Sequence, residues 1–234
     1  MYGGAVPDAM LAMVKILSSM WDEKGSVTIS GLYSSENSEL AYSETQLRTD
    51  SGLLPSTFAI GEGPILPRLW TKPALTLIGL DYPSVAISSN TLVPSLKAKL
   101  SLRIAPGDVP ERALEALKSH ILAHNSLGAE ISFGAVELGK PFSLGEPGWG
   151  KTLAEQALGL AYGEKSVDIG IGGSIPFIAE LERVFPTAQV LVTGVEDPDS
   201  RAHSPNESLH LEGFRSAILA QLLFLLGGNQ ITTS

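Results

Sequence analysis

The sequence predicts an α/β protein in two parts: a ferredoxin-like βαββαβ unit that lacks its first strand, then part of a second α/β layer. Three observations carry this. Helical, alternating, alternating, helical and alternating segments follow one another up to Leu138. The pattern changes at Lys140-Pro141. Helices and short apolar runs then alternate to the end, as in a layered α/β sheet. The predicted division is residues 1–140, with 31–70 a loop-rich insertion, then 141–228, then a tail at 229–234.

In the first part, Pro7 suits a helix start and Met10, Leu11, Val14, Leu17 and Trp21 recur at helical spacing. A helix is expected from Pro7 to Trp21, with Gly25 beyond it. Ser26 to Leu32 alternates like a strand. The stretch from Tyr33 to Pro67 is polar, with a short helix expected at Glu44 to Thr49. Leu75 to Leu80 reads as a strand. The next one, Leu96 to Ile104, puts Ala98, Leu100 and Leu102 on one face and Lys97, Lys99, Ser101 and Arg103 on the other. After the Pro106-Gly107-Asp108 turn, Val109 to Asn125 is a helix with Leu114, Leu117 and Ile121 along one side. Ala129 to Leu138 reads as a further strand.

In the second part, Thr152 to Tyr162 is helical and closed by Gly163. A Gly-rich segment, Gly170 to Gly173, precedes a short helix, Phe177 to Val184. Gln189 to Thr193 reads as a buried strand. Ser208 to Leu226 is the last helix, with Gly227-Gly228 as its stop.

Composition narrows the function. Hydrophobic residues make up 44% and charged ones 18%, a globular profile. The net charge of −9 and the lack of any Lys/Arg cluster argue against nucleic acid and anionic membranes as partners. There is no cysteine, so any metal must be held by His and carboxylates. That absence fits a reducing cytoplasm. The N-terminus lacks the basic and apolar regions of a signal peptide. The apolar run Ile218 to Leu226 is broken by Gln221 and is too short to span a bilayer.

Two segments could carry chemistry. Glu196, Asp197, Asp199, His203 and Glu207 gather between a strand-like run and the last helix, where α/β sheets place ligands. On spacing alone the ordinary reading is a solvated acidic loop. The other segment, Gly170-Ile171-Gly172-Gly173-Ser174-Ile175-Pro176, opens a helix whose free N–H groups could hold a carboxylate or an oxyanion. By itself it reads as a tight structural turn. It is not a Walker loop, since no Gly-Lys-Ser/Thr follows, and Pro176 rules out a nucleophile elbow. His120 and His124, four apart on a helix, read as surface residues, and His210 as a cap or packing residue on the last helix.

Taken together, Gly172-Gly173-Ser174-Ile175-Pro176 and Ala202-His203-Ser204-Pro205-Asn206-Glu207 resemble the paired signature of the dinuclear zinc exopeptidases that include carnosinase, aminoacylase and succinyl-diaminopimelate desuccinylase. Tyr2-Gly3-Gly4-Ala5-Val6-Pro7 resembles the segment after that family's His-Ser-Gly motif. Arg68-Leu69-Trp70 with Pro73, Thr91-Leu92-Val93-Pro94 and Ser101-Leu102-Arg103-Ile104-Ala105-Pro106 resemble its lid, and Lys140-Pro141-Phe142 its hinge. The dipeptidase branch is the nearest fit, although Gly148-Trp149 stands where related dipeptidases often carry a histidine.

The resemblance implies a three-layer α/β/α catalytic domain with two zinc ions, interrupted by a ferredoxin-like lid that forms a homodimer. It implies hydrolysis of a dipeptide or N-acyl amino acid by metal-activated water. His203 matches a zinc ligand. Arg103 matches the lid arginine that grips the substrate carboxylate, a task suited to a guanidinium fork. Thr91 matches a lid residue near the substrate, and Gly173 and Ser174 match the loop that binds its C-terminal carboxylate. Asn206 and Glu207 match neighbours of the ligand that would support it. The remaining ligands, the bridging aspartate and the Glu general base fall before the His-Ser-Gly motif in the family. At most one zinc ligand and no catalytic residue are therefore expected here. One expectation is an N-terminally truncated enzyme, inactive alone. The alternative is a non-catalytic dimerisation or ligand-binding module. A Ser-His-Asp hydrolase is the weakest reading.

Overall fold

A computed structural model describes residues 2–36, 40–141, 148–170 and 176–231. Among these, seven α-helices and a single two-stranded sheet form, which makes the chain α/β. It divides into two compact units. The first is built from described residues of 1–44 and 56–141, the second from those of 45–55 and 148–231.

In the first unit, α1 spans Ala9–Ser18. Its cap is Asp8, whose carboxylate accepts from the Leu11 N–H at 2.7 Å, so Pro7 lies just outside the helix. The chain from Trp21 to Leu32 departs from the expected strand. Asp22 accepts from the N–H groups of Lys24 and Ser26, at 2.9 and 2.8 Å, and closes a tight turn. What remains of the ladder is one antiparallel bridge, Trp21 to Val27. Gly25 sits in that turn at φ 81°, a conformation other residues resist, and a Cβ there would lie 2.9 Å from the Ile60 Cβ.

α3 (Ile65–Trp70) interrupts the polar stretch, as does α2 (Glu44–Ser51), whose residues from Thr45 on belong to the second unit. β1 (Ala74–Asp81) and β2 (Lys97–Arg103) pair antiparallel, Ala74 opposite Arg103 and Asp81 opposite Lys97, with an irregularity between Leu77 and Gly79. α4 covers Pro110–Ala123, with Pro110 in the first turn as its fixed φ favours. Ile16, Met20, Ile29 and Leu75 form the core of this unit. Leu100 and Leu102 from β2, Leu117 and Ile121 from α4, and Ile131 pack around them. The apolar faces read from periodicity in β2 and α4 meet here, whereas the α1 segment buries Ile16 and Met20 and leaves Leu11 and Val14 of its expected stripe exposed.

The expected strand Ala129 to Leu138 pairs with no strand among the described residues and is not part of the sheet. Alternation supplies a face, but a strand also needs a neighbour to bond.

In the second unit, α5 (Trp149–Tyr162) ends at Gly163 in the left-handed conformation expected of a helix-stopping glycine. α6 is Pro176–Val184. Residues 189–193 form no strand, since no strand among the described residues of this unit is there to bond them, and Val192 is exposed. α7 runs from Leu211 to Ile231, through Gly227-Gly228 instead of stopping at Leu226. A Cβ on Gly227 would lie 2.5 Å from Leu153 Cδ1 of α5. Gly227 therefore allows two helices to approach closely, a role that a sequence cannot distinguish from a stop.

Candidate functional site

The loop from Asp197 to Ser208 is built by its own side chains. Asp197 accepts the Ser200 N–H at 2.8 Å and the Ser200 hydroxyl at 3.0 Å, and its own N–H donates to Ser200 Oγ at 3.1 Å. This reciprocal cap starts a 3-10 turn at Pro198–Ser200 and leaves Ser200 buried. The Ser200 hydroxyl bond holds the Asp197 carboxyl below its usual range, against the opposing effect of burial. The Ser208 N–H returns to Ser200 O at 2.9 Å and closes the loop at its base.

His203 is presented at the tip, exposed, with φ 62°. Arg201 (φ 54°) and Asn206 (φ 61°) share that left-handed conformation. Three non-glycine residues in six held there is a costly arrangement, and such strain concentrates where a loop must present a group. Asn tolerates this conformation, whereas Arg and His give no sign of it in a sequence. The Glu207 carboxylate accepts from the His203 backbone N–H at 3.3 Å, so it steadies the turn and not the imidazole ring.

The other residues marked in the sequence are not part of this loop. Gly173 and Ser174 fall outside the described residues. Arg103 ends β2, half-buried, and burial lowers its pKa. The strict alternation in which Arg103 would face outward stops at Leu102. Thr91 is exposed and accepts from the Ser89 hydroxyl at 3.2 Å. Its neighbour Val93 accepts from the Ala9 N–H at 3.0 Å, which ties this loop to the start of α1. Among the described residues, no three of His, Asp or Glu converge as a metal site.

Three contacts went unread in the sequence. His120 is not a plain surface residue: its Nε2 lies 3.1 Å from Ser19 O and 3.0 Å from Ser19 Oγ, joining α4 to the end of α1. Its ring stacks on His124 with centroids 4.0 Å apart. Gln189 Oε1 accepts from the Gly150 N–H at 2.9 Å, and its amide would meet any Cβ at Gly148 within 2.5 Å. Asp108 is a buried carboxylate gathering three donors around the start of α4. His210 behaves as expected, its Nδ1 accepting from the Gly213 N–H at 3.1 Å.

The sequence profile of the peptidase dimerisation domain matches residues 1–128, more than half of the 234. The chain belongs to this family. It is 30% identical to the cysteinylglycine-S-conjugate dipeptidase of Corynebacterium striatum, a match covering 96% of this chain and 50% of that protein. It is 26% identical to the Cys-Gly metallodipeptidase DUG1 of Saccharomyces cerevisiae, over 96% of this chain and 49% of the yeast protein. The solved structure of the yeast dipeptidase Dug1p superposes with a TM-score of 0.80 at 24% identity, over 96% of this chain and 49% of that one. The chain thus spans about half the length of the dipeptidases it matches. Among the described residues, no helix is long and apolar enough to cross a membrane.

Proposed function

We propose that this chain is part of a zinc-dependent dipeptidase, and that alone it is inactive. The observation that carries this reading is the likeness, across nearly the whole chain, to dipeptidases twice its length. The strained loop fits it, since it holds an exposed imidazole in position without supplying further ligands. In this reading residues 1–140 form a ferredoxin-like lid and homodimer contact, and residues 141–228 part of a catalytic α/β/α domain. His203 is one zinc ligand, with Asn206 and Glu207 shaping its turn. Arg103 grips the carboxylate of a dipeptide or N-acyl amino acid, aided by Thr91 and by Gly173 and Ser174.

Two zinc ions would supply the activated water; the other ligands and the general base come from polypeptide outside this chain. The residues here bind and orient. A guanidinium at the end of a strand offers two parallel N–H donors to a carboxylate, which fixes the peptide's end relative to the metals. A cytoplasmic location is part of this reading, and the lack of cysteine in this chain fits it.

The test is cysteinylglycine turnover in the presence of zinc, measured on this chain alone and with the half of the Corynebacterium striatum dipeptidase that it does not match. Turnover only in the mixture, lost on Arg103→Ala mainly through KM, is expected. Turnover by the isolated chain with stoichiometric zinc, or none in a mixture that forms a complex, would overturn the reading.

A further inference from the structure

His120 and His124 stand one turn apart at the end of α4, where His124 caps the helix, and the dipeptidase reading gives neither of them a part. Their hydrogen bonds fix the tautomer of each neutral ring. A carbonyl oxygen only accepts, so His120 Nε2, 3.1 Å from Ser19 O, carries that ring's proton. The Ser19 hydroxyl is spent on Ile16 O at 2.7 Å and faces the same N–H as a second acceptor. By the same rule His124 Nδ1, 2.8 Å from His120 O, is the protonated nitrogen of its ring. The lone pairs left free belong to His120 Nδ1 and His124 Nε2.

A metal-bound imidazole donates its other N–H to a carbonyl or carboxylate, which holds the ring and its tautomer in place. Both rings already have that support. They also lie side by side, with centroids 4.0 Å apart and planes 25° from parallel. Burial, then the neighbouring His124, lowers the pKa of His120, so this ring is neutral and able to ligate at neutral pH. The pair borders a groove of about 520 Å³ with Ser30, Gly31 and Ser119, which leaves space for water around an ion. The charged residues on the same groove are engaged: Arg112 with Gly31 O and Asp108, and Glu115 with Lys118.

We infer that His120 Nδ1 and His124 Nε2 chelate a divalent transition-metal ion across the last turn of α4, with water completing its coordination. This site does not rest on the dipeptidase reading. Imidazole favours Cu²⁺ over Ni²⁺ and Zn²⁺, and leaves Mg²⁺ to oxygen ligands. Because the His120 ring also holds Ser19, the ion would brace the join between α4 and the end of α1.

The probe is Cu²⁺, added to the whole chain near neutral pH, with Mg²⁺ as the control. Substoichiometric Cu²⁺ should broaden the amide NMR signals of Ser19 and residues 120–124 before those around His203 and His210. Excess Cu²⁺ should raise the thermal unfolding midpoint, as any ligand of the folded state does. His124→Ala, at an exposed position, should weaken binding by about tenfold or more, since outer partners alone are worth that much. His120→Gln keeps an N–H for Ser19 O but removes the ligating nitrogen, and should weaken binding as much. His203→Ala should leave the broadening at 120–124 unchanged. Broadening centred elsewhere, parent-like binding by His124→Ala or His120→Gln, loss of the site in His203→Ala, or the same response to Mg²⁺ would overturn the inference.

Discussion

Asp108 is the residue on which the first unit depends most. Its side chain has no exposed surface and accepts from the Tyr33 N–H at 2.9 Å, the Val109 N–H at 2.7 Å and the Arg112 guanidinium. Asp108→Ala strands two backbone donors and should cost about 2–4 kcal/mol in urea unfolding. His120 gives a pH signature. Burial first, then the neighbouring His124, lowers its pKa, against a smaller opposing effect from the Ser19 carbonyl. Its folded pKa lies below the unfolded value of about 6.5, so the folded state disfavours its charged form. The stability it preserves is present above that value and is lost as pH falls from there through the lower folded pKa. Wild type should therefore lose more stability than His120→Gln between pH 7.5 and 5.5. Equal losses in the two would contradict the assignment. Periodicity could place His120 beside the apolar stripe but could not show that Ser19, 101 positions away, meets it.

At the scale of elements, the loop of residues 197–208 depends on its cap. Asp197→Ala removes the reciprocal bonds with Ser200 and should cost about 1 kcal/mol. Asn206→Val, forced into a left-handed conformation, should cost about 1–2 kcal/mol, while Asn206→Gly should be close to neutral; thermal unfolding of the three variants reads the difference. Elements whose partners are local were legible in the sequence. α4 and α5 followed from spacing and from Gly163, and β1 with β2 from alternation. Ala129 to Leu138 and Gln189 to Thr193 were expected as strands and are not, because strand formation depends on a neighbour that no local pattern reports. Gly227 misled for a related reason: the contact with Leu153 that explains it is distant in sequence.

For the whole molecule, the exposed side chains are as informative as the core. Ile218, Leu222, Leu225 and Leu226 of α7 are 52–60% exposed, as are Trp149 and Leu160 of α5 at 54% and 74%. Surface of this kind is normally covered in an assembly. Of the proposed site, the sequence marked His203, Arg103 and Thr91, but not the strained backbone that holds His203 outward, which depends on Asp197, Ser200 and Ser208 closing the loop. The most direct test of the central claim is the zinc content of the complex between this chain and the half of the Corynebacterium striatum dipeptidase that it does not match, with His203 and with His203→Ala. His203→Ala should leave the stability of the chain alone within about 0.5 kcal/mol, as at other exposed sites, and should lower the zinc bound by the complex and abolish turnover. Zinc content and turnover unchanged by His203→Ala would contradict the account.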